Sequence, residues 1–448
     1  MDSLDMLSAT EAAARIAAGT LTSESLVAAC LERISQRESG VQAWAAIDPD
    51  FALAQARACD QAPPRTRLHG LPVGVKDVLD TADLPTEYGS PIYRGNRAAC
   101  DAACVAQVRE SGGVILGKTV TTEFATRYPG KTRNPRNLRH TPGGSSQGSA
   151  AAVADFMVPL AFGTQTTSSV IRPAAYCGVV GYKPTFGLVN RAGLKILSDS
   201  FDHIGSLTRT VPDAALLVEA LSGAPATAFD AVTHMKPRIG FYRTPWWDQA
   251  DHPTQEALLQ AVPRLELAGA RVTRVDLDSE FERLVEVQST VSSYEMFRAL
   301  AHERTRFPVL ISEMLMERLL GGGRVARADY EEAQAIARRC RAHLTDAFRE
   351  YDVLLAPSAM GEAPEGLDST GDPVFGASWT VLHVPAVTVP VFRGPRGLPM
   401  GAQIIGPLGK DGPSVSAIGW RSSSMAGSSK STVPSVWLRG IAPSGRWR

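Results

Sequence analysis

Residues 143–178 constrain the fold of this chain more than any other stretch. They read GGSSQGSAAAVADFMVPLAFGTQTTSSVIRPAAYCG, so glycine, serine and threonine surround an Ala-rich run. The small side chains of residues 149–156 predict a helix that packs closely against a sheet, and residues 158–162 predict a short buried strand. One serine pair, residues 145–146, precedes this unit, and a second pair, residues 168–169, follows it. We expect the two pairs to meet in space.

Helical and extended patterns alternate on both sides of this stretch. Residues 8–17, 23–35 and 101–111 have the apolar period of amphipathic helices. Residues 71–79 and 114–119 are apolar and strand-like. Further strands are predicted at residues 353–357, 384–391 and 400–406. This alternation predicts a mixed or parallel sheet covered by helices.

The charge balance disfavours some classes of partner. The chain has 46 basic and 46 acidic residues, and 44% of its residues are hydrophobic. Without a net field, neither nucleic acid nor an anionic membrane is attracted, whereas small neutral substrates remain open. No apolar run reaches the roughly 20 residues of a membrane span.

The first residues and the cysteines indicate a compartment. The segment MDSLDMLSATEAAARIAAG carries acids where a signal peptide carries basic residues. Six cysteines are spread through the chain without a C-x-x-C pair, which is typical of a reduced environment. We therefore expect a cytoplasmic protein.

Chemistry in the serine-rich stretch needs a base and an oxyanion site. A serine hydroxyl is a weak nucleophile until a base takes its proton, and the resulting oxyanion needs fixed donors. The successive backbone N–H groups of residues 166–169 suit the second task. Residues 144–148 also fit the pattern G-x-S-x-G, so an α/β-hydrolase-like esterase with Ser146 as its nucleophile is an alternative. That alternative needs a histidine base. His203 and His383 are the candidates, and neither stands in a sequence pattern that supports this role.

One of the predicted strands contains a lysine. In LPVGVKDVL, residues 71–79, Lys76 is followed by Asp77. Because successive side chains of a strand point to opposite faces, the two charges need not neutralise each other. The strand alone leaves open whether Lys76 is an exposed lysine or a buried catalytic group.

The order of motifs from residue 143 to residue 185 is similar to that of the amidase signature family. A Gly-Gly-Ser-Ser turn stands at residues 143–146, and a Gly-Thr pair at 163–164. Arg172-Pro173 follows, and CGVVGYKPT closes the run at 177–185. The resemblance implies an α/β fold with a large mixed, mostly parallel twisted sheet covered on both faces by helices. It also implies a hydrolase of amide C–N bonds that uses no metal or organic cofactor.

Carried over position by position, the family's Ser-cisSer-Lys triad falls on Ser169, Ser145 and Lys76. The resemblance implies that Ser169 attacks the amide carbonyl and that Ser145, on a cis peptide bond, relays its proton to Lys76. The lysine must then be neutral, which burial favours because desolvation lowers the pKa of an ammonium group. The implied oxyanion hole consists of the backbone N–H groups of Thr166, Thr167, Ser168 and Ser169.

The chain departs from the family pattern in two loops. Gln147 replaces the third glycine of Gly-Gly-Ser-Ser-Gly-Gly. Gln165 replaces an aspartate, and Thr167-Ser168 replace a Gly-Gly pair. Positive φ is costly without glycine. The oxyanion loop therefore either has a different shape or keeps all its residues at negative φ.

Arg172 lies three residues after Ser169. This arrangement is similar to the malonamidase-type branch, in which an arginine at this place binds a substrate carboxylate. A guanidinium fork suits that task. The alternative is an ion pair that holds the loop to a neighbouring acid.

The resemblance implies one domain over residues 1–409, within which helices of residues 225–350 shape the substrate pocket. Residues 410–448 do not resemble the family. From residue 411 onward ten residues are serine and Asp411 is the only acid, which predicts a disordered or out-of-frame tail. Candidates to line the pocket, or else to pack in the core, are Trp246, Trp247, Tyr294 and Met296.

Three functions remain open from sequence. The first is an amidase whose substrate is a small-molecule amide and which could also cleave esters or carbamates, as a urethanase does. In this case we expect no contact with nucleic acid or membrane, and the sequence leaves open whether the protein is a homodimer. The second is an A-type subunit of an aminoacyl-tRNA amidotransferase, which needs partner chains. The third is a non-catalytic binding relative, which the presence of all three triad residues disfavours.

Overall fold

The computed structural model describes residues 3–223 and 236–412. The predicted atypical tail therefore lies outside the described residues from position 413 onward, as do residues 224–235 at the start of the predicted pocket region. None of the described helices is both long enough and apolar enough to cross a membrane. All six cysteines are free thiols.

Eleven strands and thirteen helices make up the described part of the chain. The strands are β1 (Trp44–Ile47), β2 (Pro72–Lys76), β3 (Val114–Thr119), β4 (Leu160–Gln165), β5 (Val180–Lys183), β6 (His203–Thr208), β7 (Arg238–Tyr242), β8 (Arg271–Val275), β9 (Val353–Pro357), β10 (Ala386–Arg393) and β11 (Pro399–Ile405). The helices are α1 (Ala9–Ala17), α2 (Ser23–Val41), α3 (Pro49–Asp60), α4 (Ala103–Glu110), α5 (Gln147–Ala154), α6 (Ile171–Cys177), α7 (Val211–Ser222), α8 (His252–Leu267), α9 (Leu284–Ala299), α10 (Ala301–Arg306), α11 (Glu313–Gly323), α12 (Arg327–Ala347) and α13 (Val374–Val381).

The strands form one mixed sheet, as expected, in the order β1-β3-β2-β4-β6-β5-β10-β11-β9-β7-β8. Parallel pairing is nevertheless the minority among the described strands. Four neighbouring pairs are parallel and six are antiparallel. The central strands β4, β6, β5, β10, β11 and β9 account for five of those six antiparallel pairs. The structure thus differs from the expectation of a mostly parallel sheet. The reason is that apolar periodicity identifies strands but carries no information about their direction.

Helices cover both faces of the sheet because alternate strand residues point to opposite sides. In β3, Val114 and Leu116 pack in one cluster with α2, α3, α5 and α6. Ile115 packs in another cluster with α1, α4 and α7. The same alternation separates Leu354 from Leu355 in β9. The core therefore lies in two layers, one on each side of the sheet.

The Ala-rich run forms α5, and all eight of its residues are buried. A Cβ added to Gly148 would lie 2.3 Å from the carbonyl oxygen of Ala43, so the helix approaches the neighbouring backbone as closely as a glycine permits. The helix begins next to Ser146, and β4 returns the chain to Ser169. The Ser146 N–H donates to the carbonyl of Ser169 at 3.3 Å, so the two serine pairs meet as expected.

Candidate active site

Lys76 is the last residue of β2 and is completely buried. Its Nζ lies 2.8 Å from Ser145 Oγ. It also lies 2.7 Å from the hydroxyl of Thr164 and 3.5 Å from the carbonyl oxygen of Thr164. Asp77 points away and forms an ion pair with Lys118 at 3.2 Å. The divergence expected from strand geometry therefore leaves Lys76 without a direct carboxylate partner in the described part of the chain.

Burial lowers the pKa of Lys76 well below its usual value, and the carboxylate of Asp202 opposes part of that shift. Asp202 is itself buried and accepts hydrogen bonds from the Thr166 hydroxyl at 2.5 Å and from the N–H of Leu197 at 2.7 Å. A neutral lysine has two N–H groups and one lone pair. These match its three contacts if Nζ donates to the two oxygens of Thr164 and accepts from the Ser145 hydroxyl.

The segment before α5 holds Ser145 in place. The Gly144–Ser145 peptide bond is cis, as the resemblance implies, and Gly143 has a φ of 79°, in the region that favours glycine. Arg172 Nη2 donates to the carbonyl of Gly144 at 2.8 Å. Ser145 itself is only 1% exposed. Ser145 is therefore held by its backbone on one side and by Lys76 on the other.

Ser169 lies where α6 is about to begin and borders a cavity. No described residue forms a hydrogen bond with its hydroxyl, whereas its carbonyl accepts the N–H of Ser146. The structure thus brings Lys76 and Ser145 into direct contact and sets Ser169 beside them at the cavity wall. The hydrogen bond between the two serine hydroxyls that a relay requires is not formed in this state.

The loop from Thr166 to Ser169 presents free backbone donors. Within residues 3–223 and 236–412, no group accepts a hydrogen bond from any of its four N–H groups. None of the four residues has a positive φ. The loss of the family's glycines is therefore accommodated by negative φ throughout, which is one of the two outcomes expected.

Gln165 supports this loop from its base. Its Oε1 accepts the N–H groups of Val170 at 2.9 Å and Ile171 at 3.1 Å, at the start of α6. Its Nε2 donates to the hydroxyl of Thr380 at 3.0 Å, and Thr380 donates in turn to the carbonyl of Thr167 at 2.8 Å. The glutamine that departs from the family pattern thus links β4, α6 and α13.

Arg172 is 4% exposed, and burial lowers its pKa to about 10. Besides Gly144, its Nη2 reaches the hydroxyl of Thr370 at 3.2 Å. Its Nε and Nη1 are buried and have no partner among the described residues. The alternative of an ion pair with a neighbouring acid is therefore wrong for the described part of the chain.

Two adjoining cavities open beside Ser169. The inner cavity, of about 30 Å³, is bordered by Ser169 and Arg172. The outer cavity, of about 580 Å³, is bordered by α9, α11 and α13. They share Thr126, Arg127, Thr167, Arg318 and Pro373.

Two of the four candidate pocket residues reach these cavities. Trp246 lines the outer cavity and Met296 lines the inner one. Trp247 packs instead in the core, and Tyr294 stacks on Tyr330 with ring centroids 4.2 Å apart. Apolar identity alone could not separate the two roles.

Ser146, the alternative nucleophile, is fully buried. Its hydroxyl donates to the carbonyl of Thr164 and accepts the N–H of the same residue, both at 3.2 Å. His203 and His383 are engaged with the carbonyls of Phe201 and Ser200. The α/β-hydrolase-like interpretation is therefore wrong, because this serine is held by the backbone and no histidine reaches it.

Three supporting residues were not identified from sequence. Thr164 belongs to the Gly-Thr pair, which was the available signal. Asp202 has no local pattern, and neither does Gln288, whose Nε2 donates to the carbonyl of Thr166 at 2.9 Å and to the Thr167 hydroxyl at 2.8 Å. The described residues contain no group of three or more His, Cys, Asp or Glu side chains that could hold a metal ion.

Known proteins resemble this chain along most of its length. The family model described as Amidase matches residues 25–413. The A-type subunit of the glutamyl-tRNA(Gln) amidotransferase of Chromohalobacter salexigens is 32% identical, across 89% of this chain and 92% of the relative. A crystal structure of an amidase has a TM-score of 0.86 at 28% identity, covering 98% of this chain and 100% of its own. The native peptide amidase of Stenotrophomonas maltophilia has a TM-score of 0.78 at 29% identity, covering 92% of this chain and 95% of its own.

Proposed function

This chain belongs to the amidase signature family and is an amide-cleaving enzyme of the hydrolase type, and we propose that it hydrolyses a small-molecule amide through an acyl-enzyme on Ser169. The observation that carries the proposal is the buried contact of 2.8 Å between Lys76 Nζ and Ser145 Oγ, next to a serine on a cavity wall. A buried lysine with a lowered pKa can accept a proton near neutral pH, which an exposed lysine cannot.

The proton follows a route of two steps. As Ser169 Oγ attacks the amide carbon, its proton passes to Ser145 Oγ, and the proton of Ser145 passes to the lone pair of Lys76. The Ser169 hydroxyl must rotate toward Ser145 for this step, and such catalytic hydrogen bonds often tighten only when substrate binds. The free N–H groups of residues 166–169 supply donors for the oxyanion. The proton then returns through Ser145 to the departing amine, and water hydrolyses the ester by the same route.

Arg172 is proposed to bind a carboxylate of the substrate. Its unpartnered Nε and Nη1 are two donors of one guanidinium, and it borders the same cavity as Ser169. A carboxylate that accepts from Nη1 would give this donor a partner and would restore the charge pairing that burial makes favourable, whereas Nε–H lies on another edge of the guanidinium. The contact with Gly144 means that the same side chain also supports the cis segment.

The triad is tested on a panel of aryl amides and esters with Ser169→Ala, Lys76→Ala and the matched control Ser206→Ala. We expect kcat/KM to fall on the order of 10⁴-fold or more in the first two, since residues that act as a unit are each essential. Ser206 is a buried serine whose hydroxyl has no partner in the described structure, so its loss should leave the rate within a few-fold. Wild-type rates in both triad variants, with unchanged circular dichroism, would show that the assignment is wrong.

A second candidate is an A-type subunit of an amidotransferase. The 32% identity across 89% of this chain to a protein of that name supports it, and that identity is higher than the 28% and 29% to the two solved amidases. We expect a protein of this kind to copurify with partner chains and to hydrolyse glutamine efficiently only with them. A purified chain that cleaves small amides at full rate without partners would favour the first function.

A further inference from the structure

The two cavities differ in the charge of their walls. Three arginines border the inner cavity, Arg127, Arg172 and Arg318, and no acidic side chain does. The outer cavity shares two of these arginines and adds Glu317 and Asp372. Positive charge is therefore concentrated where the two cavities meet, close to Ser169.

Arg127 and Arg318 are not neutralised by the described protein. Neither residue forms an ion pair with a carboxylate of residues 3–223 or 236–412, where many other arginines do. The Nη2 of Arg318 makes one long hydrogen bond, 3.4 Å to the Ser292 hydroxyl. Asp372 accepts the N–H of Val374 at 2.9 Å. The two guanidinium groups thus keep most of their donors for another group.

Arg127 is exposed and Arg318 is half-buried, so water partly screens the repulsion between their charges, and an anion bound between them would reduce it further. Burial and the neighbouring Arg127 lower the pKa of Arg318 to about 10, in keeping with that repulsion. Arg172 is already committed in part to Gly144, whereas Arg127 and Arg318 donate to no backbone carbonyl in the described part of the chain. The donors of both guanidinium groups at the shared wall are therefore available to a ligand.

We propose that Arg127 and Arg318 form an anion subsite, distinct from Arg172, at the junction of the two cavities. The substrate is then an amide whose body, outside the inner cavity, carries a carboxylate or a phosphate. Arginine forks suit both groups. Glu317 and Asp372 border only the outer cavity, where they disfavour an anion. The inference rests on the proposed function, because it names the substrate class of the same site.

Turnover tests the subsite on one anilide scaffold that ends in carboxylate, phosphate, hydroxyl or ammonium. The wild type is compared with Arg127→Gln, Arg318→Gln, Arg318→Lys and the control Arg324→Gln, an exposed arginine at the end of α11 that borders neither cavity. In each Gln variant at the junction we expect the kcat/KM ratio of the anionic to the hydroxyl substrate to fall about 10-fold. The Lys variant should keep part of the ratio and the control all of it. The carboxylate and phosphate arms show which anion is preferred.

Binding tests the subsite without turnover. Calorimetric titration with glutarate and with inorganic phosphate should show binding to the wild type and about 10-fold weaker binding to Arg318→Gln. An unchanged substrate ratio together with unchanged anion binding in both Gln variants would overturn the subsite. The two proposals fail separately. Retained hydrolysis by Ser169→Ala contradicts the nucleophile, whereas an inactive Ser169→Ala with unaltered anion selectivity in the arginine variants contradicts only the subsite.

Discussion

At the scale of single residues, the proposed mechanism depends on a lysine that is kept neutral. Lys76 has hydroxyl and carbonyl oxygens as its partners, and the negative charge of Asp202 raises its pKa against the effect of burial. A direct carboxylate partner would stabilise the ammonium form and remove the base. Asp202 instead bonds to Thr166 and to backbone N–H groups, so its charge acts on Lys76 only from a distance.

The charge of Asp202 sets where activity rises with pH. In the proposed mechanism deprotonated Lys76 is the active form, so kcat/KM should rise as pH increases through the pKa of Lys76. Asp202 raises that pKa, and Asp202→Asn should therefore move the rising limb of the pH profile to lower pH. The measurement is kcat/KM against pH for a single aryl amide.

A matched variant separates this effect from general loss of charge. Asp199→Asn removes an exposed carboxylate three residues away and should leave the limb in place. A limb that stays at the wild-type pH in Asp202→Asn, or that moves to higher pH, would contradict the role of Asp202.

At the scale of secondary structure, one side chain joins three elements around the loop of residues 166–169, the proposed oxyanion site. Gln165 ends β4, accepts two N–H groups at the start of α6 and donates to α13. Helix α13 comes so close that a Cβ on Gly376 would lie 2.2 Å from Ser168 Oγ. The shape of the loop is therefore imposed by its neighbours, which explains why it keeps negative φ without glycine.

Gln165→Ala should loosen this junction. Three hydrogen bonds are lost, and buried N–H groups of Val170 and Ile171 are left without their acceptor, at a cost of about 1–3 kcal/mol in the free energy of unfolding. We expect kcat/KM to fall roughly 10-fold or more, because displaced donors stabilise the oxyanion poorly. Urea denaturation and kinetics on the same preparation give both values.

Gln147→Met is the matched control, since the Nε2 of that buried glutamine has no partner in the described structure. It should keep wild-type kcat/KM. If Gln165→Ala and Gln147→Met behave alike in rate and in stability, Gln165 does not hold the loop.

At the scale of the whole molecule, a buried side-chain carboxylate, that of Asp411, lies next to the end of the described residues. Asp411 accepts the hydroxyl of Tyr182 at 2.6 Å and both the N–H and the hydroxyl of Thr185, at 2.8 and 2.5 Å. These contacts tie the end of the described chain to Tyr182 of β5, in the middle of the sheet, and to Thr185 just beyond that strand. The fold therefore includes Asp411, which lies within the residues 25–413 that the family model matches, although the sequence alone placed it in the atypical tail.

Asp411→Ala should destabilise the fold without touching the site. Three hydrogen bonds to a charged acceptor are lost and a buried tyrosine hydroxyl is left unpaired, which we expect to cost about 2–3 kcal/mol. The midpoint of urea denaturation should fall while kcat/KM at low temperature stays near wild type. The exposed Asp368→Ala is the control and should keep the wild-type midpoint. Equal midpoints for both variants would contradict a structural role for Asp411.

Local pattern determined the elements and the positions of the proposed chemistry. The strands at residues 114–119 and 353–357 form over the ranges predicted, and the Ala-rich helix lies within two residues of its predicted bounds. Periodicity and small side chains act over a few neighbouring residues, so they can be read without the fold. The motif order placed Ser145, Ser169 and Lys76 by resemblance, and packing then brought the first and last into contact.

Only the tertiary structure decided strand direction, the supports of the loop and the charge of the cavity. Asp202, Gln288 and Thr380 reach the loop from separate segments, and nothing in their own surroundings in the chain indicates that they do. Arg127, Arg172 and Arg318 meet at one wall although far apart in sequence. Such contacts arise because distant segments pack against one sheet, and a pattern that repeats every two or four residues carries no information about which distant segments will meet.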